Sequence, residues 1–287
     1  MTSLRLFLET IRFEHTVFAL PFAYLGMVLA AGGWPSLHHF VWITVAMGAA
    51  RTVAFAVNRW ADRVYDARNP RTAHRPIPSG RLSPRTTLAY GFIAAVVLTV
   101  AAWQLNPLAL KLLPGALLFL VGYSFTKRFT WLSHWVLGFT DGLAPMGAWV
   151  AVRASLFTPT DLPAWLLLAA VTFWIAGFDL IYACQDTEFD RAEGLYAVPA
   201  RFGNAVALRL ARANHLLTVG FLAAVGRAVG LGWPYWLGLV IVAGLLIYEH
   251  SLVSPTDLSR VNIAFFNVNG YIAITLFVAT MLALYAR

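Results

Sequence analysis

The sequence predicts an all-α membrane protein with nine transmembrane helices, and three observations predict it. Hydrophobic residues make up 60% of the chain and charged residues 12%, against roughly 45–50% and 25% in soluble domains. Apolar runs of about 20 residues, long enough to cross a bilayer, recur along the whole chain. The alternating ten-residue pattern of a lipid-facing barrel does not occur.

The elements follow in order. The opening segment, "MTSLRLFLETIRFEHT", lacks the basic, apolar and small-residue order of a signal peptide. Its Leu4, Phe7, Leu8 and Ile11 share one helical face, which suits a helix lying along the cytoplasmic interface. Spans are then expected at 15–33, 37–57, 86–105, 109–126, 134–152, 164–184, 205–226, 233–250 and 262–285. Glycine and proline inside several of them are no obstacle, because both are more frequent in membrane helices. No low-complexity segment interrupts this series, so residues 1–287 read as one integral membrane domain.

Basic residues orient the spans. With the N-terminus cytoplasmic, 16 fall on the inner side: Arg5, Arg12, the seven arginines from Arg59 to Arg85, Lys127, Arg128, Arg191, Arg201, Arg209, Arg212 and Arg260. Only Lys111, Arg153, Arg227 and Arg287 fall outside, which puts the C-terminus outside; Arg51 lies within a span. This asymmetry over nine alternations predicts a multi-pass protein of the cell (inner) membrane. The net charge of +8 then comes mostly from two cytoplasmic loops, not from a basic domain. It gives no reason to expect a nucleic acid, and nothing predicts a protein partner. Arginine dominates over lysine; its planar fork suits phosphate, although the base composition of the gene would produce the same bias.

Cys184 is alone, which excludes a disulfide framework and a thiolate cluster. The histidines show no metal spacing and read as non-catalytic. Phosphate-binding loops, dinucleotide fingerprints and nucleophile triads are missing.

Two acidic stretches stand out in a chain with only 13 acidic residues. "AVNRWADRVYDARNPRTAHRPIPSG" spaces Asn58, Asp62 and Asp66 four apart, hence along one helical face. "FDLIYACQDTEFDRAEGLYAVPARFG" repeats the spacing at Asp186 and Asp190, with Asp179 seven residues earlier. Both stretches end an apolar span on the expected cytoplasmic side. Magnesium takes one or two carboxylates plus phosphate oxygens, so two acidic faces opposed across a bundle suit a metal-bridged diphosphate. The competing reading makes these acids helix caps or partners of neighbouring arginines such as Arg59 and Arg63. It accounts for any single one of them better than for two matched sets.

These stretches carry a resemblance. "NRWADRVYDARNPRTAHRPIPSG" resembles the first aspartate-rich motif of the UbiA-type intramembrane aromatic prenyltransferases, NxxxDxxxD followed by RTxxRPxxxG. "YACQDTEFDRAEG" is similar to their second, YxxxDxxxD followed by a glycine. Arg59 departs from the pattern, because many members carry an acid directly after the asparagine. The resemblance implies nine helices around a central cavity, capped by the two cytoplasmic loops. It also implies Mg²⁺-dependent transfer of a prenyl chain from a polyprenyl diphosphate to an aromatic carbon. Asn58, Asp62, Asp66, Asp186 and Asp190 would be the metal and diphosphate residues. "GYSFTKR" resembles the family's YxxxK element, which adds Tyr123 and Lys127 as diphosphate contacts, with Arg63 a third.

Arg51 lies eleven residues before Asp62, three helical turns and about 20° away, on the same face and about 10 Å deeper than Asn58. A charge at that depth faces a cavity or a partner. Two readings stand: Arg51 receives the carboxylate of an aromatic acid, or it pairs with Asp141 or Asp179. Asp179 in turn would either meet the acceptor's hydroxyl and take the ring proton or belong to that ion pair. Asn262, Asn267 and Asn269 read as interhelical glue.

The expected reaction is therefore prenylation of a hydroxyaromatic acid, most simply 4-hydroxybenzoate, in respiratory quinone synthesis. A dihydroxynaphthoate on the way to menaquinone, a haem or a lipid acceptor, and a terpene cyclase without an acceptor share the metal motifs. A cation-coupled transporter would instead hold its charged groups at the bilayer midplane in broken helices, whereas here the acids cluster at one face.

Overall fold

Every regular element in the computed structural model is helical; it describes residues 3–11 and 16–286. Arg12 and Arg287, both counted in the charge asymmetry, lie outside the described residues. The amphipathic opening forms a short helix, α1 (Ser3–Thr10), with Leu6, Phe7 and Ile11 buried and Leu4 exposed. Phe7 packs on Tyr90, so this face meets protein.

Nine helices of 16 residues or more follow among the described residues, at the nine expected places. They are α2 (Thr16–Ala31), α3 (Leu37–Ala61), α5 (Pro84–Leu105), α6 (Pro107–Thr126), α7 (Ser133–Arg153), α8 (Leu162–Ala183), α11 (Asn204–Val229), α12 (Trp233–Ser251) and α13 (Asn269–Tyr285). Three short helices sit in the connections between the long ones: α4 (Arg63–Arg68), α9 (Thr187–Ala192) and α10 (Val198–Phe202). Five stretches are long and apolar enough to cross a membrane: Leu37–Ala61, Pro84–Leu105, Pro107–Thr126, Pro159–Ala192 and Ile263–Tyr285. The other four long helices are shorter or more polar. α2 has 16 residues, α7 carries His134, Asp141 and Arg153, α11 carries three arginines, and α12 ends on Glu249 and His250.

The helices start and stop where local chemistry directs. Asn106 separates α5 from α6: its Oδ1 accepts from Ala109 N (2.9 Å), and its Nδ2 donates to Val150 O (2.9 Å) and Ala151 O (3.0 Å) on α7. One side chain thus caps a helix and anchors it to a neighbour. α7 packs between α2 and α8, and α8 between α7 and α11. At the α7–α8 crossing, a Cβ on Gly138 would stand 2.1 Å from Thr172 O, so only glycine permits this approach. The main core lies among α2, α7, α8, α11, α12 and α13.

The last long helix opens with a π turn, Ile263–Val268. Asn269 explains it: its Nδ2 donates to Ala264 O (3.3 Å) and Phe265 O (3.1 Å), intruding into the helix's own ladder, and reaches Glu249 Oε1 on α12 (3.2 Å). An inserted side chain of this kind is a recognised cause of such irregularity. Asn269 is therefore interhelical glue, as its position predicts, while Asn262 and Asn267 are exposed.

Candidate active site

The first acidic set lies where α3 gives way to α4. Asp62 caps the end of α3 with φ −85° and ψ 2°. The helical ladder nevertheless continues through the break, with Asp62 N bonded to Asn58 O (2.9 Å) and Asp66 N to Asp62 O (2.7 Å). The three predicted side chains therefore stay in register. Asn58 Nδ2 donates to Asp62 Oδ2 (3.2 Å), and Lys127 Nζ, at the end of α6, lies 3.2 Å from the same oxygen. Arg128 donates to Ala61 O (2.7 Å) and approaches Asp62 Oδ1 at 3.6 Å. Asp66 is held by Arg75, whose Nη1 donates to both carboxylate oxygens at 2.9 and 3.0 Å. Both aspartates are buried.

The second set follows α8. A 3₁₀ turn, Cys184–Asp186, joins α8 to α9, so Asp186 ends the turn and Asp190 sits one turn into α9. Asp186 receives a two-pronged contact from Arg71, through Nε (3.0 Å to Oδ1) and Nη2 to Oδ2, and a bond from Asn69 Nδ2 (3.0 Å). Arg71 Nη1 also donates to Tyr182 OH (3.0 Å). The loop after the first acidic set thus reaches more than a hundred residues along the chain to bind the second.

Asp190 faces into this space. It is buried, and among the described residues no hydrogen bond reaches its carboxylate. Burial pushes its carboxyl up to about 6; Lys127 opposes the shift and the charge of Asp186 reinforces it. Asp62 and His134 also act on it, so both acidic sets and Lys127 share one electrostatic neighbourhood.

Deeper in the bundle, Arg51 lies over the Phe55 ring at 4.5 Å and within electrostatic reach of Asp141. Asp141, midway along α7, is exposed. Asp179 has a different partner: His134 Nδ1 lies 2.7 Å from its Oδ2. Of the two ion pairs open to Arg51 from the sequence, Asp141 is thus the neighbour that has no competing partner of this kind.

Two other predicted contacts are turned elsewhere. Tyr123 OH donates to Ala54 O (3.3 Å), one turn deeper than Asn58. Arg63 folds back on its own helix, donating to Trp60 O (2.7 Å) and covering the Trp60 ring. Sequence reasoning passed over Asn69, Arg71, Arg75 and His134 as site residues. Arg71 and Arg75 stand in the quoted RTxxRP stretch, which was the available signal; His134 carried none.

The donors fit a hard divalent cation. All four aspartates offer oxygen, Asp190 is uncommitted, and Asp62 Oδ1 is buried without a hydrogen bond. Among the described residues no three acidic, histidine or cysteine side chains converge tightly enough to hold an ion alone. That arrangement suits magnesium, which completes its shell with water and substrate phosphate.

Comparison with known proteins shows what the chain is similar to. The profile described as "UbiA prenyltransferase family" matches residues 19–283. A 4-hydroxybenzoate octaprenyltransferase of Tolumonas auensis is 32% identical over 255 residues, 89% of this chain and 87% of that protein. The apo structure of a UbiA homologue from Aeropyrum pernix K1 is 33% identical with a TM-score of 0.84, covering 93% of this chain and 96% of the other. A UbiA homologue from Archaeoglobus fulgidus, solved bound to GPP and Mg²⁺, shares the fold at 20% identity and a TM-score of 0.70, covering 98% and 100%.

Proposed function

The chain belongs to the UbiA prenyltransferase family, and from that premise we propose that it transfers a polyprenyl group from its diphosphate to 4-hydroxybenzoate with the help of Mg²⁺. It is a prenyltransferase and a multi-pass membrane protein. The finer reading adds nine spans, a cytoplasmic N-terminus and an active site near the cytoplasmic face of the inner membrane. The observation that carries it is the contact of Asn69 and Arg71 with Asp186, which draws two acidic sets to one mouth beside Lys127. Two matched acidic sets facing one lysine are what a diphosphate held through divalent ions requires.

In this mechanism Asn58, Asp62, Asp66, Asp186 and Asp190 would hold Mg²⁺, which when bound neutralises charge on the departing diphosphate. Lys127, Arg71 and Arg75 bind phosphate oxygens, and Tyr123 and Arg63 lie at the margin. Arg51 takes the carboxylate of the acceptor, and Asp179 accepts a hydrogen bond from its hydroxyl. The allylic C–O bond breaks and its electron pair leaves with the diphosphate. The ring carbon ortho to the hydroxyl bonds to the allylic carbon, and the displaced ring proton passes to Asp179. The surrounding bundle keeps water from the cation, and lipid receives the apolar tail.

The test is direct. Purified protein with Mg²⁺ and geranyl or farnesyl diphosphate is offered 4-hydroxybenzoate, a dihydroxynaphthoate or no acceptor, and the products are identified by mass spectrometry. Prenylated 4-hydroxybenzoate is expected. Unchanged diphosphate in every arm, or a hydrocarbon made without acceptor, would overturn the reading.

A further inference from the structure

We infer that His134 is a positioning residue that fixes which oxygen of Asp179 faces the acceptor and leaves that oxygen to accept a hydrogen bond from the acceptor's hydroxyl. The inference rests on the reading above, in which Asp179 meets that hydroxyl.

His134 is buried, 3% exposed, and both ring nitrogens are engaged. Val198 N–H donates to Nε2 at 3.2 Å. A nitrogen that accepts from a backbone N–H carries no proton of its own, so the neutral ring holds its proton on Nδ1. That proton points at Asp179 Oδ2, 2.7 Å away. The opposite tautomer would set two N–H groups face to face at Nε2 and leave both without an acceptor, a costly arrangement in a buried site. The imidazolium form suffers the same conflict. The backbone of α10 thus decides the tautomer, and the tautomer commits Oδ2.

Oδ1 is what remains. It takes no hydrogen bond among the described residues, and the Asp179 side chain keeps 26% of its surface open. Asp179 and Arg51 both lie within electrostatic reach of Asp141, which puts them in one neighbourhood. A ligand bearing a carboxylate at one end and a hydroxyl at the other matches Arg51 and Asp179 Oδ1 in charge and in donor sense.

The same segment of chain serves the diphosphate end. Leu195 N donates to Asp190 O (2.8 Å), Tyr196 N to Lys127 O (2.7 Å) and Val198 N to His134. Three contacts within four residues therefore connect the second acidic set, the lysine and the acceptor acid. His134 is the member of this row that carries the geometry inward.

Two conservative variants separate its two bonds. In His134→Asn the amide Nδ2 stands near the position of Nδ1 and still donates to Asp179. In His134→Gln the longer side chain reaches toward Val198 but no longer holds Asp179. Calorimetry on the full chain in detergent then compares binding of 4-hydroxybenzoate with benzoate, which lacks the hydroxyl. Wild type and His134→Asn are expected to prefer 4-hydroxybenzoate by about tenfold or more, the effect of one hydrogen bond to a charged group. His134→Gln is expected to lose that preference while keeping its affinity for benzoate. Equal discrimination by His134→Gln and wild type overturns the role of His134 and leaves the acceptor reading standing. Wild type that binds neither acid overturns the acceptor reading and this inference with it. Nitrogen-15 NMR of the wild-type imidazole needs no variant: a proton on Nε2 refutes the argument at its root.

Discussion

Arg71 offers a test in which two effects carry opposite signs. Its fork occupies both oxygens of Asp186 and leans on Tyr182, and Asn69 adds a third bond to the same carboxylate. A divalent ion approaching Asp186 must displace part of this and tolerate a positive neighbour. Arg71→Ala should therefore tighten metal binding to the substrate-free protein. Fully buried, a charge-assisted pair would be worth several kcal/mol. Here the side chains are 32% and 17% exposed, so screening reduces the value to about 1–2 kcal/mol. That corresponds to roughly five- to thirtyfold tighter binding. The same substitution removes a phosphate contact, so kcat/KM for prenyl diphosphate should fall. Mn²⁺ titration followed by EPR on detergent-solubilised protein measures the first effect, and initial rates measure the second. Metal affinity unchanged or weakened in Arg71→Ala would refute the reasoning, because the arginine would then not be competing for the carboxylate.

Two further outcomes are expected. Gly138→Val forces α7 from α8, since its Cβ would meet Thr172 O at 2.1 Å. Overpacking of this kind costs about 1–3 kcal/mol, read as a lower Tm, and should raise the acceptor KM more than the diphosphate KM because His134 lies one turn away on α7. At the other end of α7, Asp161 is buried and works as an anchor. Burial alone would raise its pKa, but bonds from Ser155, Thr158 and Trp149 outweigh it and hold the carboxyl well below its usual range. Because the folded value is depressed, the stabilisation is complete at neutral pH and is lost only as pH falls below about 4. Asp161→Asn should lower Tm at pH 7 by an amount that shrinks in acid; a constant difference across that range would contradict the assignment.

What the sequence revealed and what it concealed divide along a physical line. The shared placement of Asn58, Asp62 and Asp66 was legible because residues four apart share a helical face, and the break at Asp62 does not disturb the ladder beneath them. The long helices were legible because runs of about 20 apolar residues favour helix in a membrane. The partners of the acids were not, because Asn69, Arg71 and Asp186 meet only after the chain has crossed the bundle repeatedly. His134 was hidden for a related reason: a lone histidine has no spacing, and its meaning comes from Val198 and Asp179 on two other elements. The π turn was hidden because Asn269 acts on its own helix as well as on Glu249. Local periodicity places the acids, and tertiary closure brings the groups that hold them.

That division bears on how the site is balanced. Asp66 and Asp186 now have arginines where a metal-bound diphosphate would lie, while Asp190 has no such partner. Without the arginines, four buried or half-buried carboxylates would repel one another at the membrane surface. In the proposed reaction the same guanidinium groups would have phosphate oxygens to turn to, and divalent ions would take their place on the acids. Under that proposal Asp66 and Asp186 each keep a counter-charge in both states, so the loop that carries Arg71 and Arg75 need not unfold to admit the substrate. At Arg71 a lysine would serve less well, because one ammonium cannot match the two-pronged contact that Nε and Nη2 make with the two oxygens of Asp186. Base composition alone does not account for where Arg71 and Arg75 point, onto Asp186 and Asp66.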